Sequence, residues 1–209
     1  MKVLIIGASR GVGRCLLERA LAHHHQVTAA VRNPAAVDIR HEQLHVVPCD
    51  VLDAESVTRA LAGQDVVFCT IGDNTRGPTA LYSAGARNIA QAMQAQQVRR
   101  LVFLSNFGVL GEKAQDLRGA ALLFLAKRLI RHTLADHRRA LQEIQDHAPE
   151  WIAVRPLPLT NGPWSGQYRT SVDGIPAKSS HIARADVADF MLRQATDDNY
   201  LNQAPAIAY

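Results

Sequence analysis

The stretch Gly7-Ala8-Ser9-Arg10-Gly11-Val12-Gly13 narrows what this 209-residue chain can fold into more than any other. It follows directly on Val3-Leu4-Ile5-Ile6, a short continuous apolar run of the kind that forms a strand buried on both faces. Behind it, residues 13–22 repeat Leu16, Leu17, Ala20 and Leu21 at helical spacing. A strand that runs through glycines into a helix is a phosphate-binding turn. Gly7 permits a tight turn off the strand, Gly11 lets the backbone approach a pyrophosphate, and Gly13 lets the helix pack closely on the sheet. The first N–H groups of that helix are orphan donors at the positive end of its dipole, so a diphosphate is stabilised there without a cationic side chain. The spacing is GxxxGxG rather than GxGxxG. The strand before it and the helix after it, more than the glycines, carry the reading.

The same alternation continues along the chain. Strands are expected at 26–31, 44–49, 65–71, 100–104 and 151–154. Helices are expected at 53–62, capped by Asp53 and stopped by Gly63, at 77–97, and through a region ending near 147. Strands alternating with helices predict an α/β fold, a single Rossmann-type doubly wound parallel sheet with helices on both faces and right-handed crossovers. Residues 156–183 are rich in proline and glycine and poor in periodic apolar positions, which marks them as a substrate-side loop region. A short strand at 180–183, a helix at 186–195 and an extended segment at 201–209 complete what reads as one domain over 1–209.

Composition limits the partners. Apolar residues make up 47% and charged residues 20%, which excludes wholesale disorder and leaves enough apolar surface for a core without disulfides or a structural metal. No apolar run reaches the ~18–20 residues of a membrane span, and the apolar run before Gly7 is too short for a signal peptide. Cys15, Cys49 and Cys69 are odd in number, far apart and without a CxxC pair, which argues against a zinc cage and for a reducing, cytoplasmic location. His23-His24-His25 reads as solvated residues at a helix C-terminus rather than a metal tract, so no metal is expected. Only four of the 23 basic residues are lysine. Arginine's planar donor fork suits phosphate and carboxylate, although a coding bias produces the same excess. No basic block with interleaved aromatics is present, so nucleic acid is not an expected partner.

The residue ending the second strand, ~20 positions past the glycines, faces the adenosine ribose of a bound dinucleotide, and an acid there binds the 2′-hydroxyl of NAD. This chain has Arg32 at that place and Arg10 inside the glycine turn. Two guanidinium forks and no carboxylate predict NADP(H).

The glycine turn, Asp50-Val51 after the third strand and Ile71-Gly72 after the fourth resemble the places where the short-chain dehydrogenase/reductase superfamily, in its NmrA-like branch, holds adenine and ribose. Ser83-Ala84-Gly85-Ala86-Arg87-Asn88-Ile89, Trp164-Ser165-Gly166-Gln167-Tyr168 and Phe190-Met191-Leu192-Arg193 are similar to the biliverdin-IXβ reductase/flavin reductase family, and the similarity covers nearly the whole chain. It implies NADPH-dependent reduction of a small planar substrate (a flavin, a quinone-like acceptor or a tetrapyrrole) by a monomer or weak homo-oligomer. It also implies that Gly7, Ser9, Arg10, Gly11, Val12, Gly13, Arg32, Asp50, Val51, Ile71, Gly72 and Pro156 hold the coenzyme. Ser105, at the end of the fifth strand, matches the superfamily's active-site serine, and Pro156 a proline near the nicotinamide.

Two departures shape that expectation. Tyr82, Tyr168, Tyr200 and Tyr209 all lack a lysine four positions on, so the Tyr-x-x-x-Lys proton relay of most short-chain dehydrogenases is missing and an alcohol dehydrogenase or epimerase mechanism is disfavoured. A flavin tolerates the loss, because the second proton can come from water and the protein need only align two rings. Pro158 stands where biliverdin-IXβ reductase has a pocket histidine, which puts flavin or quinone-like acceptors ahead of biliverdin. A non-catalytic NADP(H) sensor is the alternative from another class.

Three further segments carry open readings. Residues 117–131, above all the apolar run 120–130, could form core, cover the substrate site or make an oligomer contact. Asp136-His137 on a polar helix reads as solvated surface, with a proton relay as the other possibility. Trp164 and Tyr168 could stack on a planar acceptor as substrate-pocket residues, or one of them could pack in the core.

Overall fold

The computed structural model describes residues 1–72, 77–111, 128, 130–176 and 178–209. Its organising element is β1 (Lys2–Ile6), whose Val3, Leu4 and Ile5 are fully buried. Parallel neighbours flank it on each side, β2 (Gln26–Val31) and β4 (Val66–Cys69). With β3 (Leu44–Pro48), β5 (Arg100–Leu104), β6 (Glu150–Pro156), β8 (Arg169–Ser171) and β10 (Ala206–Ala208), the sheet runs β3-β2-β1-β4-β5-β6-β10-β8. All pairings are parallel except β10 with β8. Strand order reverses between β1 and β4, the switch point at which open α/β sheets bind ligands beyond their carboxyl ends.

Alternation along the strands sorts the core into two layers. Val3 and Ile5 face α1 (Gly11–Ala22) and α5 (Arg184–Arg193), while Leu4 and Ile6 face α2 (Ala54–Leu61), α3 (Leu81–Gln96) and α4 (Arg131–His147). Asp53 caps α2 by accepting from the Glu55 amide at 3.1 Å, and Gly63 takes a left-handed φ of +70° just beyond it.

Several expected boundaries shift. The helix expected from 77 begins at Leu81, whose amide the Thr79 hydroxyl accepts at 3.2 Å. The strand at 65–71 contracts to Val66–Cys69. The last helix starts two residues early, at Arg184. The short strand expected at 180–183 is β9 (Ile182–Ala183), which leaves the main sheet and pairs with β7 (Leu159–Thr160). The terminal segment enters the main sheet as β10, between β6 and β8. Of residues 117–131, the stretches 117–127 and 129 lie outside the described residues. No helix among the described residues is long and apolar enough to cross a membrane.

Candidate functional site

Gly7 leaves β1 with φ +92°, and a Cβ there would lie 2.9 Å from the Thr70 carbonyl carbon and oxygen. A Cβ on Gly13 would fall 2.2 Å from the Gly7 carbonyl oxygen and 2.4 Å from Thr70 Oγ1. Glycine at both positions is therefore what lets α1 dock on β1 and β4. A Cβ on Gly11 would meet only the Arg184 side chain, at an ordinary 3.8 Å, but φ is +61°, so its requirement is backbone conformation rather than room. The helix it starts is electrostatically bare. Arg10 at the N-cap makes no side-chain cap bond, and no acidic residue occupies the first turn. Amides at a positive dipole end with neither a side-chain cap nor a counter-charge are suited to an external anion.

A cavity of about 990 Å³ opens above this turn. Gly7, Ser9, Arg10, Gly11, Val12, Arg32, Asp50, Val51, Ile71 and Gly72 line it, so three strand ends and the glycine turn converge on one space. Gly13 lies beneath the turn, where its role is packing. Neither Ser105 nor Pro156 lines the cavity, although Leu104, the residue before Ser105, does. Sequence reasoning passed over Asn33, Thr70, Leu81, Leu159, Asn161 and Arg184, which also line it.

Charge on the rim is mostly positive, with Arg10, Arg32 and Arg184 against Asp50. Arg10 and Arg32 are exposed, and their guanidinium groups make no hydrogen bond or ion pair among the described residues. Arg14, one turn into α1, is occupied by Glu18 at 2.7 Å and by Asp38. Its guanidinium holds the Asp38 carboxyl below the usual carboxylate range. The Asp50 carboxylate accepts from the Leu52 amide at 3.0 Å and shapes its own turn.

The segment 83–89 has a visible role. A Cβ on Gly85 would sit 2.9 Å from Val51 Cγ2, and Asn88 Nδ2 donates to the Val51 carbonyl at 2.9 Å. Helix α3 thus holds Val51 in place under the cavity. A glycine and an asparagine spaced along a helix face were the available signal.

Next to this space lies a buried polar group that the sequence reading placed on the surface. Asp136 is 0% and His137 3% exposed. Asp136 accepts from the Tyr82 amide at 2.9 Å and the Ser83 hydroxyl at 2.5 Å, both on α3, and from Arg139 at 3.0 Å. Those donors are what allow a carboxylate to be buried on a helix rich in polar residues. The His137 ring stacks on Tyr82 with centroids 3.9 Å apart and meets Phe103 edge-on at 6.2 Å. Ser105 lies two residues beyond Phe103, and the Oγ of Ser105, Oδ1 of Asn106 and Nδ1 of His137 are buried without a hydrogen-bond partner among the described residues.

Burial lowers the His137 pKa to about 4, against the pull of Asp136. A histidine kept neutral in the fold stabilises it fully above the unfolded-state value of ~6.5, and the contribution is lost as pH falls from there toward the native pKa. Unfolding measured at pH 8 and pH 5 should therefore show about 2 kcal/mol of stability lost by the wild type and retained by His137→Phe. Parallel pH profiles for the two proteins would refute the assignment.

Trp164 and Tyr168 both lie away from the cavity, and Tyr168 takes the packed alternative. Trp164 is 51% exposed, with the Arg19 guanidinium 4.6 Å from its ring centre, and Arg19 sits toward the far end of α1 from the glycine turn. The Tyr168 hydroxyl donates to Asp189 at 2.9 Å, and its ring packs edge-on against Phe190. Neither lines the cavity. His23 and His24 are exposed at the end of α1, and no cluster of three metal-ligating side chains occurs among the described residues.

Residues 7–198 match the profile of a family described as NAD(P)H-binding. The chain belongs to this NAD(P)H-binding family. Among curated proteins it is 33% identical, over 120 residues, to an N-acetyl-alpha-D-glucosaminyl-diphospho-ditrans,octacis-undecaprenol 4-epimerase of Escherichia coli O157:H7, covering 52% of this chain and 33% of the relative. The chain thus spans about a third of that relative's length. Among solved structures it is similar to the oxidoreductase ylbE from Lactococcus lactis, with TM-score 0.83, 20% identity and coverage of 100% of this chain and 90% of the other. It is also similar to ChuY, an anaerobillin reductase from Escherichia coli O157:H7, with TM-score 0.79, 20% identity and coverage of 100% and 97%. At such identities the likeness is one of fold.

Proposed function

We propose that this member of the NAD(P)H-binding family is an NADPH-dependent reductase that passes hydride to a flat conjugated acceptor such as a free flavin. The observation that carries the reading is the bare N-terminus of α1 beneath two exposed guanidinium groups, Arg10 and Arg32, that no carboxylate neutralises among the described residues. Amides of the glycine turn bind the diphosphate, and the two arginines bind the 2′-phosphate as a planar fork. Asp50, Val51 and Ile71 bound the adenosine side, and Gly72 follows at the mouth. Bound NADPH supplies the hydride. Ser105, whose buried hydroxyl has no partner among the described residues, stands directly behind the cavity-lining Leu104 and acts as a positioning residue of that wall rather than as a contact of the ring. His137 stays neutral and keeps the wall behind Ser105 dry rather than delivering a proton, which water supplies to a flavin. The free thiols Cys15, Cys49 and Cys69 suit the reducing cytoplasm in which NADPH is abundant.

Purified protein given NADPH and excess FMN or dichlorophenolindophenol should consume the nicotinamide absorbance, with NADPH favoured over NADH by at least about tenfold and Arg32→Glu reversing or abolishing that preference. Equal use of the two coenzymes by the wild type would remove the role given to Arg10 and Arg32. Tight NADPH binding without turnover across a broad acceptor panel would make the protein a sensor instead of a reductase.

A further inference from the structure

The far wall of the cavity carries a cation that neither the glycine turn nor the 2′-phosphate reading uses. Arg184 opens α5, directly after β9, and lines the cavity together with Leu159 and Asn161 from the β7 segment. Its Nη1 donates to Asn161 Oδ1 at 2.7 Å and approaches the Leu159 carbonyl at 3.5 Å. The guanidinium is tethered by neutral oxygens alone; no carboxylate pairs with it among the described residues. Its other side faces the glycine turn, where a Cβ built on Gly11 would lie 3.8 Å from Arg184 Nε. Charge from Arg184 also reaches the Cys15 thiol one turn further along α1, where it opposes the upward push of burial.

Position separates this arginine from the other two. Arg32 follows β2, on the side of the switch point to which the coenzyme reading assigns adenosine, and Arg10 caps α1 inside the glycine turn. Arg184 stands across the turn, held by the segment that follows β6, and so faces the middle of the bound dinucleotide rather than its 2′ end. A half-buried cation without a counter-charge among the described residues, fixed over uncapped helix amides, keeps its Nε and Nη2 donors, three N–H groups, for whatever anion the amides hold. On the coenzyme reading above, that anion is the diphosphate. We propose that Arg184 is a diphosphate clamp, positioned by Asn161, that closes the dinucleotide against the α1 N-terminus from the small β7–β9 sheet.

Two ligands separate the phosphates. NADP carries both the diphosphate and the 2′-phosphate, whereas adenosine 2′-monophosphate carries only the latter. In calorimetric titrations Arg184→Gln should weaken NADP at least about tenfold, while adenosine 2′-monophosphate binds within about twofold of wild type. Arg184→Lys keeps the charge without the fork and should regain part of the lost NADP affinity. Asn161→Ala loosens the tether without touching the cation and should weaken NADP by about two- to fivefold. The clamp is overturned if Arg184→Gln leaves NADP affinity unchanged, if both ligands weaken by the same factor, or if Asn161→Ala has no effect in a case where Arg184→Gln does not fold. Wild-type protein that binds neither ligand would instead bring down the coenzyme reading on which the clamp rests.

Discussion

Gly13→Ala is expected to abolish NADP binding and to cost more than about 3 kcal/mol of folding stability. The added methyl would lie 2.2 Å from the Gly7 carbonyl oxygen and 2.9 Å from its carbon, which are backbone and cannot rotate away. Thr70 Oγ1, 2.4 Å off, is fixed in turn by bonds to the Ile6 and Gly7 carbonyls at 3.0 and 3.3 Å. Relief must come from moving α1 outward, and α1 buries Val12, Leu16, Leu17, Ala20 and Leu21 against the sheet. Lifting the helix opens that layer and draws its N-terminal amides away from the cavity at once. Gly11→Ala provides the contrast: the added methyl meets only the Arg184 side chain at an unstrained 3.8 Å, so the cost is that of a left-handed alanine, about 1 kcal/mol, and the helix stays docked. Thermal unfolding and NADP titration of both variants check the pair. A Gly13→Ala protein that melts with the wild type and still binds NADP would refute the packing argument.

That contrast also indicates which parts of the molecule could be read from the sequence. The glycine turn, the buried β1 and the capped α2 are local features, written in residues next to one another, and the parallel, doubly wound sheet was legible from the alternation of strands and helices. What eluded the sequence depends on partners far along the chain. Asp136 and His137 read as surface residues because nothing near them in sequence shows that the amide of Tyr82 and the hydroxyl of Ser83, 54 and 53 positions earlier, will satisfy the carboxylate. Trp164 and Tyr168 had a ring's chemistry but no indication of direction, and contacts far along the chain lead them away from the cavity, Trp164 onto Arg19 and Tyr168 into packing against Phe190. Arg184 went unnoticed for the same reason: only the folding back of β7 and β9 brings it over Gly11. The terminal segment gave no sign that it would add β10 beyond β6, since pairing across that distance leaves no local pattern.

The second large effect comes from this folded-back region. Asp186, fully buried in the first turn of α5, accepts from the Ser165 amide and hydroxyl at 3.0 Å each, from the Gly166 amide at 2.8 Å and from the Tyr209 hydroxyl. One carboxylate thereby fastens the loop after β7 and the segment after β10 to the helix that carries Arg184. Burial alone would raise its pKa, but the Tyr209, Gly166 and Ser165 donors outweigh burial and hold it below the ordinary value. Asp186→Ala leaves those donors facing a hole and should cost about 3 kcal/mol, which for a chain of this size lowers Tm by about 10 °C at pH 7. Because the native pKa is the depressed one, the stabilisation is present at neutral pH and is lost only as pH falls below about 4, so the Tm gap between wild type and variant should narrow there. NADP affinity should fall with the mutation as well, since the Ala183 amide donates to the same Tyr209 hydroxyl at 3.2 Å and Arg184 is the next residue. A variant that unfolds with the wild type at pH 7, or a Tm gap that stays constant down to pH 3, would show that the carboxylate is not what ties this wall of the cavity to α5.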